Sequence, residues 1–422
     1  MGKCITVAIA GLGSRGYDEY AQAQKQFPQK MKIVAVADID PEKVQIAAKE
    51  FDIPKKHCYG SAEEMLEQKR LADVMFIATQ DRQHVGQAIP ALRKGYHLLL
   101  EKPISPALEE CRELVEVAKE CNRRVVVCHV LRYTPIYQKV KELLAGGEIG
   151  EIVSIMAAEN VGWWHMAHSF VRGNWNKTDE SCPMILAKCC HDMDILTWLA
   201  GSKCSRVSSI GGLSHFNKEH RPEGAPDRCL DGCPHRDTCP YYAPRFYLEH
   251  PKAIADGFRK VVSFDTSNEA VLKELQTSPY GRCVYACDND VVDNQIVSIE
   301  YENGVRASLT MSAFTEECER IINVMGSHGQ IKGHMETNTL EVLDFASGHK
   351  TIIEVHTPSG GSHSGSDVSM MREFVELVAS GATDSKTGAT ASVESHLATL
   401  AAEESRLQGG MPIDLKQWTT SI

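Results

Sequence analysis

The feature that most constrains the fold of this chain is a regular alternation of strand and helix patterns over residues 1–130. The apolar, β-rich runs "ITVAIAG", "MKIVAVAD", "ADVMFIAT", "YHLLLE" and "RRVVVCHV" are separated by intervals with helical periodicity. Strands that are apolar on both faces and joined by helices form parallel sheets covered on both sides. We therefore predict a doubly wound parallel sheet over residues 1–130.

Local signals for helix starts agree with this alternation. Asp40 followed by Pro41 gives an N-cap and a proline at the first helical position, and Ser105 followed by Pro106 repeats the pair. The stretch "SAEE", residues 61–64, has the spacing of a capping box. The sequence therefore predicts a helix next to each of these three signals.

From about residue 131 the pattern changes to strands with short connections, which is typical of antiparallel pairing. Asn303 and Gly304 separate two alternating runs and form a hairpin signal. We predict an α+β domain over residues 131–385, with an open, largely antiparallel sheet and a cysteine-rich insertion at about 225–245. Residues 386–422 are predicted to form a C-terminal helix and tail that pack back on the first domain.

The composition is that of an ordinary soluble protein of two domains. The chain has 422 residues, more than one hydrophobic core usually serves, of which 43% are hydrophobic and 24% charged. The net charge of −11 argues against nucleic acid or an anionic membrane as a partner. No apolar run reaches the roughly 20 residues that span a bilayer. The start of the chain does not fit a signal peptide, so we expect a cytoplasmic protein whose fifteen cysteines are reduced.

The motif "GLGSRG" follows the first strand directly and is typical of a dinucleotide site. In such a site Gly11 makes the tight turn, Gly13 lets the backbone approach a pyrophosphate, and Gly16 lets helix and strand pack closely. Asp38 ends the next strand, at the spacing where an acid binds the adenosine ribose and repels a 2′-phosphate. Ile39 supplies no compensating cation, so the sequence predicts NAD rather than NADP as the cofactor.

A second unusual stretch is "LLLEKPIS", residues 98–105, in which three leucines end abruptly in Glu101, Lys102 and Pro103. Charged groups are costly to bury without partners. We therefore expect this strand to end at a cleft in which Lys102 meets a polar group. A surface turn is the alternative, because turns favour proline with polar neighbours.

The order of motifs in this chain resembles that of the Gfo/Idh/MocA family of sugar and cyclitol dehydrogenases. "GLGSRG", "DIDPEK", "ATQDRQH", "EKPIS", "LRYTP", "HDMD" and "SGSDVSMMREFV" occur in family order over nearly the whole chain. The resemblance implies that Lys102 stands beside the nicotinamide and touches the reacting hydroxyl, where a fixed cation stabilises a developing alkoxide. With the contacts that it implies, the predicted cofactor residues are Gly11, Gly13, Ser14, Arg15, Gly16, Asp38, Thr79, His84, Glu101, Lys102 and Arg132.

The segment "MILAKCCHDMDIL", residues 184–196, carries the remaining catalytic candidates. At helical spacing Lys188, His191 and Asp192 lie within one turn of each other and can converge on one cleft. An imidazole suits the proton that an alcohol loses with its hydride, so we predict His191 as the general base, with a buried structural histidine as the alternative. Many family members carry aspartate where this chain has Ala187. Lys188 either replaces that acid in holding the substrate or marks a change in the chemistry.

Aromatic residues next to hydrogen-bonding groups form a candidate substrate loop in "ENVGWWHMAHSF", residues 159–170. Aromatic faces pack on the C–H faces of a sugar ring, and polar groups bind its hydroxyls. Core packing explains a tryptophan pair about equally well. The predicted substrate contacts are Trp163, Trp164, His165 and, from the family loop at the domain junction, Tyr133.

Three cysteines, Cys229, Cys233 and Cys239, lie in the polar segment "CLDGCPHRDTCPYYAP". Thiolates that cluster in such loops often hold zinc, so a structural Zn²⁺ site is one reading, beside reduced or redox-active thiols and an iron–sulfur site. Three ligands leave a tetrahedral site incomplete. The candidates for a fourth ligand are His235, Cys190, Cys283 and Cys287.

Together these features predict an NAD-dependent oxidoreductase that transfers hydride between nicotinamide and a ring hydroxyl of a sugar, sugar derivative or cyclitol. A second reading is an enzyme that uses NAD transiently to oxidise a glycoside, eliminate its aglycone and reduce the product again. A third is a non-catalytic, sugar-responsive binding protein on a dehydrogenase scaffold, because a fold does not determine function. An exposed face on the second sheet would favour a homo-oligomer, a dimer or a tetramer.

Overall fold

A computed structural model describes residues 4–255, 257–357, 365–382 and 385–420 of the chain. Two sheets with helices packed around them make up this part of the molecule. Within it, no helix combines the length and the apolar character that crossing a bilayer requires.

The first sheet has six parallel strands in the order β3-β2-β1-β4-β5-β6, so the predicted doubly wound sheet is confirmed. Its strands are β1 (Ile5–Ala10), β2 (Met31–Ala37), β3 (Cys58–Tyr59), β4 (Val74–Ile77), β5 (His97–Leu100) and β6 (Val125–Val127). Its helices are α1 (Ala23–Gln26), α2 (Pro41–Glu50), α3 (Ala62–Glu67), α4 (His84–Arg93) and α5 (Leu108–Glu120). A π-helix (Ser14–Ala21) follows β1.

Two of the three predicted helix caps are confirmed. The Asp40 side chain accepts a hydrogen bond from the backbone N–H of Glu42 at 2.9 Å, and that of Ser61 accepts one from Glu64 at 3.1 Å. The helix predicted to start at Pro106 is α5, and it begins at Leu108 instead. The Ser105 hydroxyl accepts a hydrogen bond from the N–H of Ala107 at 3.0 Å, and this local turn delays the first helical residue.

The second sheet has nine strands in the order β14-β13-β12-β11-β7-β10-β9-β8-β15. They are β7 (Ile152–Asn160), β8 (Cys204–Gly212), β9 (Asn294–Tyr301), β10 (Arg306–Ser312), β11 (Glu319–Gly326), β12 (Gly329–His334), β13 (Thr339–Asp344), β14 (Lys350–Glu354) and β15 (Ile413–Asp414). β7 and β10 pair in parallel and the other neighbours pair antiparallel, which confirms the predicted α+β arrangement. The β9–β10 hairpin turns at Asn303 and Gly304, where Gly304 has φ +86°.

The helices around the second sheet are α6 (Pro135–Ala145), α7 (Trp163–His165), α8 (Met184–Ala187), α9 (Cys190–Ala200), α10 (Ala243–Glu249), α11 (Pro251–Ala255), α12 (Phe258–Val262), α13 (Asn268–Glu274), α14 (Ser366–Ser380), α15 (Ala389–Leu407) and α16 (Leu415–Thr420). A second π-helix (Met166–Arg172) continues α7. Between β8 and β9 lies an insertion whose helices α10 to α13 enclose a small core of their own. The predicted cysteine-rich segment belongs to this insertion.

Helix α14 covers one face of the first sheet. Phe374 of α14 shares a buried cluster with Ile9 of β1 and Phe76 of β4, and the rings of Phe76 and Phe374 are 5.8 Å apart. This helix falls in the range predicted for the second domain, yet its buried side chains pack on the first sheet. The division of the chain at residues 130 and 385 stays a prediction.

The end of the chain contacts both sheets. Helix α15 packs on β8 and α9 and also on α5. His396 of α15 is bonded to the backbone oxygen of Ser105 at 2.8 Å, so α15 is tied to the loop that follows β5. Strand β15 pairs with β8 and extends the second sheet.

Replacing Phe374 with alanine should lower the free energy of unfolding by about 3–5 kcal/mol, because a ring that is 1% exposed leaves a cavity on the first sheet. Phe345→Ala is the matched control, since that ring is 55% exposed and its loss should change the free energy by less than about 0.5 kcal/mol. Chemical denaturation measures both variants. Equal losses would contradict the packing of α14 on this sheet.

Candidate active site

The glycine loop after β1 is shaped by close backbone contacts. Gly11 has φ +89°, and a Cβ atom there would lie 2.3 Å from the carbonyl oxygen of Ala78. A Cβ atom on Gly16 would lie 1.9 Å from the carbonyl oxygen of Gly11. A Cβ atom on Gly13 would meet no atom within 4 Å. The loop is therefore tight at its two ends and open at its middle, as a backbone that binds a phosphate requires.

Asp38 ends β2 beside this loop. Its carboxylate accepts hydrogen bonds from the backbone N–H of Leu12 at 2.6 Å and of Asp40 at 2.9 Å. Two bonds hold the carboxylate in a fixed orientation next to the glycine turn. The neighbouring Ile39 is 88% exposed, so no cation from this position stands beside the carboxylate.

A buried ion cluster joins the glycine loop to the end of β5. Arg15 donates from Nε to Glu101 Oε1 at 2.8 Å and from a terminal nitrogen to the carboxylate of Asp367 on α14. The hydroxyl of Tyr20 also donates to Glu101. Burial acts to raise the pKa of Glu101, but Arg15 and Lys102 outweigh it and hold that pKa below its usual range. The side chains of Arg15 and Glu101 therefore bind each other, and the glycine loop is fixed to the strand end that carries Lys102.

Lys102 reaches the segment that carries His191. Its ammonium donates from Nζ to the carbonyl oxygen of Ala187 at 2.8 Å, at the end of α8. The Lys102–Pro103 peptide bond is cis. His191 lies one turn further on, in the first turn of α9, and is 5% exposed. The structure thus brings the predicted cation and the predicted base to one place.

A network of buried charges lies beside this pair. Lys188 Nζ is 3.3 Å from Glu159 Oε1, and Arg320 Nε is 2.7 Å from Glu159 Oε2. Arg320 Nε also donates to Asp192 Oδ1 at 2.9 Å. Lys188 Nζ is 3.6 Å from the sulfur of Cys318. Two cations and two carboxylates therefore neutralise each other in this network.

Burial and partners shift the pKa values of this network. Burial, opposed by Arg320, raises the pKa of Asp192 to about 7, so this carboxyl exchanges a proton near neutrality. Burial acts to lower the pKa of Lys188, but Cys318 and Glu159 raise it to about 12, so Lys188 stays charged. Burial, with Lys188 adding to it, lowers the pKa of His165.

Arg320 and Cys318 were not among the residues predicted for the site. Arg320 alternates with Ile322 and Val324 of β11, both of which are buried, so it points into the protein with them. A charged residue on the buried face of an alternating strand is the signal that could have revealed it. Glu159 occupies the end of β7 in the same way and is 0% exposed.

Three further predicted cofactor residues, Thr79, His84 and Arg132, are bonded within the protein. His84 is bonded through its two ring nitrogens to the backbone oxygens of Pro103 at 2.7 Å and Thr79 at 3.2 Å, so it links the loops after β4 and β5. The Thr79 hydroxyl donates to Gln87 at 2.7 Å. Arg132 forms a buried bidentate pair with Asp194, with both contacts at 2.7 Å. These bonds hold the loops after β4 and β5 and helix α9 in position around the site.

Two predicted substrate contacts lie in the protein core. Tyr133 packs in the core of the first sheet, and its hydroxyl is 3.1 Å from Thr387 Oγ1. Trp164 is 4% exposed and donates to the carbonyl oxygen of Glu316 at 2.9 Å. The polar atoms of both side chains are bonded within the protein and both rings are buried, so their role as substrate contacts stays a prediction.

The neighbours of these residues lie nearer to the charged network. The Trp163 ring has edge contacts with Tyr241 at 5.7 Å and His250 at 5.1 Å, within the insertion. His165 is the member of this loop on which Lys188 acts. Within this loop, His165 therefore lies close enough to Lys188 for the two charges to interact.

The predicted zinc site is not supported. In the described part of the chain, no three His, Cys, Asp or Glu side chains are grouped so that they could hold a metal ion. Cys229, Cys233, Cys239 and Cys283 line one small cavity. The sulfur of Cys229 lies 3.8 Å from a nitrogen of the buried Arg172 and 3.9 Å from the carbonyl oxygen of Arg282. These thiols act as small core residues with weak polar contacts.

Two family models match the chain. One, described as "Oxidoreductase family, NAD-binding Rossmann fold", matches residues 5–129. The other, described as "Oxidoreductase family, C-terminal alpha/beta domain", matches residues 141–403. A putative oxidoreductase of Bacillus subtilis, YteT, is 23% identical over 390 residues, which are 87% of this chain and 88% of that protein.

Solved structures share the fold over nearly the whole chain. An oxidoreductase from Agrobacterium radiobacter, in complex with NAD+, L-tartaric acid and magnesium, has a TM-score of 0.70 at 16% identity and covers 99% of this chain and 100% of its own. The myo-inositol 2-dehydrogenase of Lactobacillus plantarum has a TM-score of 0.67 at 17% identity and covers 98% and 99%. At such identities these similarities show the fold.

The two glycines of the loop should respond differently to alanine. Gly16→Ala should lower the melting temperature, because its Cβ atom would collide with the backbone of Gly11. Gly13→Ala should keep the melting temperature of the wild type but weaken NAD binding by at least about tenfold, because the methyl group would stand where the backbone approaches the phosphates. Calorimetric titration with NAD measures the binding. Unchanged affinity in Gly13→Ala would contradict this use of the loop.

Proposed function

Since this chain belongs to the Gfo/Idh/MocA family of NAD-dependent oxidoreductases, we propose that it transfers hydride between nicotinamide and a ring hydroxyl of a sugar, sugar derivative or cyclitol. The observation that carries the proposal is the bond from Lys102 Nζ to the carbonyl oxygen of Ala187, one turn before His191. It joins the strand end of the cofactor domain to the end of α8, four residues before His191 in α9. Membership of an oxidoreductase family gives no support to the reading as a non-catalytic binding protein.

The glycine loop and Asp38 fit a dinucleotide. The open middle of the loop at Gly13 leaves room for a pyrophosphate, and the fixed carboxylate of Asp38 suits two ribose hydroxyls. The carboxylate of Asp38 would repel a 2′-phosphate, and the neighbouring Ile39 supplies no cation to compensate. We therefore propose NAD rather than NADP as the cofactor. The bound nicotinamide would supply the hydride acceptor.

Lys102 and His191 would divide the work on the hydroxyl. The ammonium of Lys102 donates to a backbone carbonyl oxygen and not to a carboxylate. No bonded anion therefore neutralises its charge, which can act on the alcohol oxygen. His191 would take the hydroxyl proton, since an alcohol loses hydride only as its proton leaves. The two groups together favour the alkoxide that develops on the oxygen.

Lys188 and Asp192 would orient the ring. Lys188 stays charged, and its contacts with Glu159 and Cys318 hold it at the edge of the site where it can donate to a hydroxyl. Asp192 Oδ1 is bonded to Arg320, while Oδ2 has no hydrogen-bond partner in the described chain and can accept from a substrate hydroxyl. His165 is the proposed third contact from the loop after β7.

Two structural relatives act on or were solved with polyhydroxylated compounds, a cyclitol in one case and tartaric acid in the other. This supports a small polyol as the substrate class. A redox-assisted glycoside cleavage is the second candidate, and the observation that favours it is Lys188, a permanently charged group that can hold or polarise a ketosugar intermediate. Both candidates share the first hydride transfer.

A panel of monosaccharides, glycosides and inositols, each with NAD and with NADP, tests the proposal through the absorbance of reduced nicotinamide. We expect at least one ring alcohol to reduce NAD faster than NADP. In a parallel arm, a chromogenic glycoside with catalytic NAD would release its aglycone without net NADH if the second candidate holds. No reduction and no release across the panel would contradict both candidates.

We also propose that the protein acts as a homo-oligomer in the cytoplasm. All fifteen cysteines are free, which suits a reducing compartment. On the second sheet one row of paired residues crosses five strands: Ile321, Ala158, Thr310, Ile296 and Ile210. The three isoleucines of this row are 40% to 58% exposed. Such an apolar face on a sheet is typical of a surface that packs against a second copy.

Lys102→Ala should lower kcat by about 100-fold or more and change the Kd for NAD by less than about threefold, because the ammonium acts on the alkoxide and not on the dinucleotide. Stopped-flow measurement of hydride transfer and titration of NAD separate the two effects. Lys94→Ala is the matched control. Lys94 precedes β5, at the end opposite to Lys102, and donates to the carbonyl oxygen of Gln68. Turnover by Lys102→Ala at the wild-type rate would contradict the role of this cation.

Ile296→Asp should lower the molar mass in solution to that of one chain, because a carboxylate beside Ile210 would be buried in the interface. Lys332→Asp, an exposed change on the same sheet outside that row, is the control. Light scattering after gel filtration measures both. A wild-type protein of 46.6 kDa in solution would contradict the homo-oligomer outright.

A further inference from the structure

A cavity lies at the edge of the first sheet opposite to the glycine loop. Its volume is about 530 Å³, a size typical of small-molecule sites. Arg124 and Val125 line it where β6 begins, whereas the glycine loop and Lys102 follow the other ends of β1 and β5. Because the six strands are parallel, these two places lie at opposite edges of the sheet. The cavity is therefore separate from the proposed dinucleotide site.

Three cations line this cavity, and among the described residues no acidic side chain does so. Lys119 comes from the last turn of α5, and Arg123 and Arg124 come from the turn before β6. Arg124 donates to the backbone oxygens of Gly381 and Ala382, which follow α14. Those acceptors carry no net charge. The cavity wall therefore has an excess of positive charge.

Arg123 is the side chain whose surroundings most clearly call for an anion. Its Nε is buried and has no hydrogen-bond partner in the described chain. A Cβ atom on Gly95 would lie 3.5 Å from a terminal nitrogen of Arg123 and 3.3 Å from one of Arg70, so two guanidinium groups lie side by side. Asp73 pairs with Arg70 at 3.4 Å. Burial and the neighbouring arginines lower the pKa of His97 to about 4, as expected in a positive field.

Helix α15 begins at the same cavity. Its first residues, Ala389, Thr390 and Ala391, line the wall, and their backbone N–H groups have no acceptor within the helix. The N-cap residue, Gly388, has no side chain that could accept from them, and the first turn holds no acidic residue. The helix runs for 19 residues, so its dipole places partial positive charge at this end.

We propose that this cavity binds the phosphate group of a small molecule through Lys119, Arg123 and the N-terminus of α15. A phosphate monoester carries close to two negative charges near neutral pH and has several strong acceptor oxygens. Arginine and lysine donate to such oxygens, and the free N–H groups of a helix start bind anions. A single carboxylate offers less charge to the same donors. Val115 and Leu377 form an apolar part of the wall, against which the carbon part of the molecule packs.

Thr390→Asp separates binding from folding. Thr390 is exposed, and a carboxylate there repels a phosphate but interacts favourably with the helix dipole. We expect a melting temperature equal to or above that of the wild type and an affinity for phosphate that is lower by at least about tenfold. Arg123→Gln should lower the affinity similarly, because a charged donor is lost. Arg93→Gln is the matched control, since that side chain is 63% exposed on α4 and does not line the cavity.

Calorimetric titration of the NAD-saturated protein measures the affinities, with inorganic phosphate as one probe and phenyl phosphate as the other. NAD fills the dinucleotide site during the titration, and phenyl phosphate has no hydroxyl to oxidise. We expect both probes to bind with a Kd of about 1 mM or lower. Phenyl phosphate should bind more tightly, because its ring reaches the apolar wall.

Binding of neither probe would overturn the inference, and so would wild-type affinities in both Thr390→Asp and Arg123→Gln. The result does not depend on hydride transfer. A protein that oxidises no ring alcohol but binds phosphate through Arg123 and α15 would contradict the proposed function and support this second site.

Discussion

The site depends on one partly buried guanidinium that is shared between two buried carboxylates. Arg15 comes from the glycine loop, Glu101 from the end of β5, and Asp367 from α14, so one cation holds three distant parts of the chain together. Buried ion pairs stabilise little by themselves, but removing one partner leaves an uncompensated charge. The cluster therefore acts as a geometric constraint. It fixes the loop that would bind the pyrophosphate relative to Lys102, the next residue after Glu101.

A second cluster of charged side chains, around Arg320, fixes the positions of the residues proposed to bind the substrate. The guanidinium of Arg320 binds Glu159 from β7 and Asp192 from α9. It therefore joins the second sheet to helix α9. Lys102 bridges the two clusters through its bond to Ala187. Other bonds also join the two sides, among them the Arg132–Asp194 pair and the bond of His396 to the backbone of Ser105.

The sequence predicts a feature well when the residues that form it are close together along the chain. The parallel sheet, the glycine loop, Lys102 and His191 each lie in a short motif, and Lys102 bonds to Ala187, four residues before His191. Arg320 binds Asp192 across 128 residues, and no local pattern reveals that pairing. The sequence cannot decide the role of Tyr133 and Trp164, because a core and a sugar platform favour the same aromatic rings. It also left zinc ligands and reduced thiols open as readings of the cysteines of the insertion, because cysteine serves equally as a ligand and as a small apolar side chain.

Helix α14 has a consequence for how the protein is made. The apolar face of the first sheet around Ile9 and Phe76 is closed by Phe374, so the nascent chain emerges from the ribosome with that face bare. It remains bare until synthesis has reached residue 380, long after the last strand of this sheet is complete. An uncovered apolar sheet invites aggregation and recruits chaperones. Residues 1–130 therefore make a poor stand-alone product, and a truncated gene that keeps the dinucleotide motif should not be expected to yield a soluble cofactor-binding fragment.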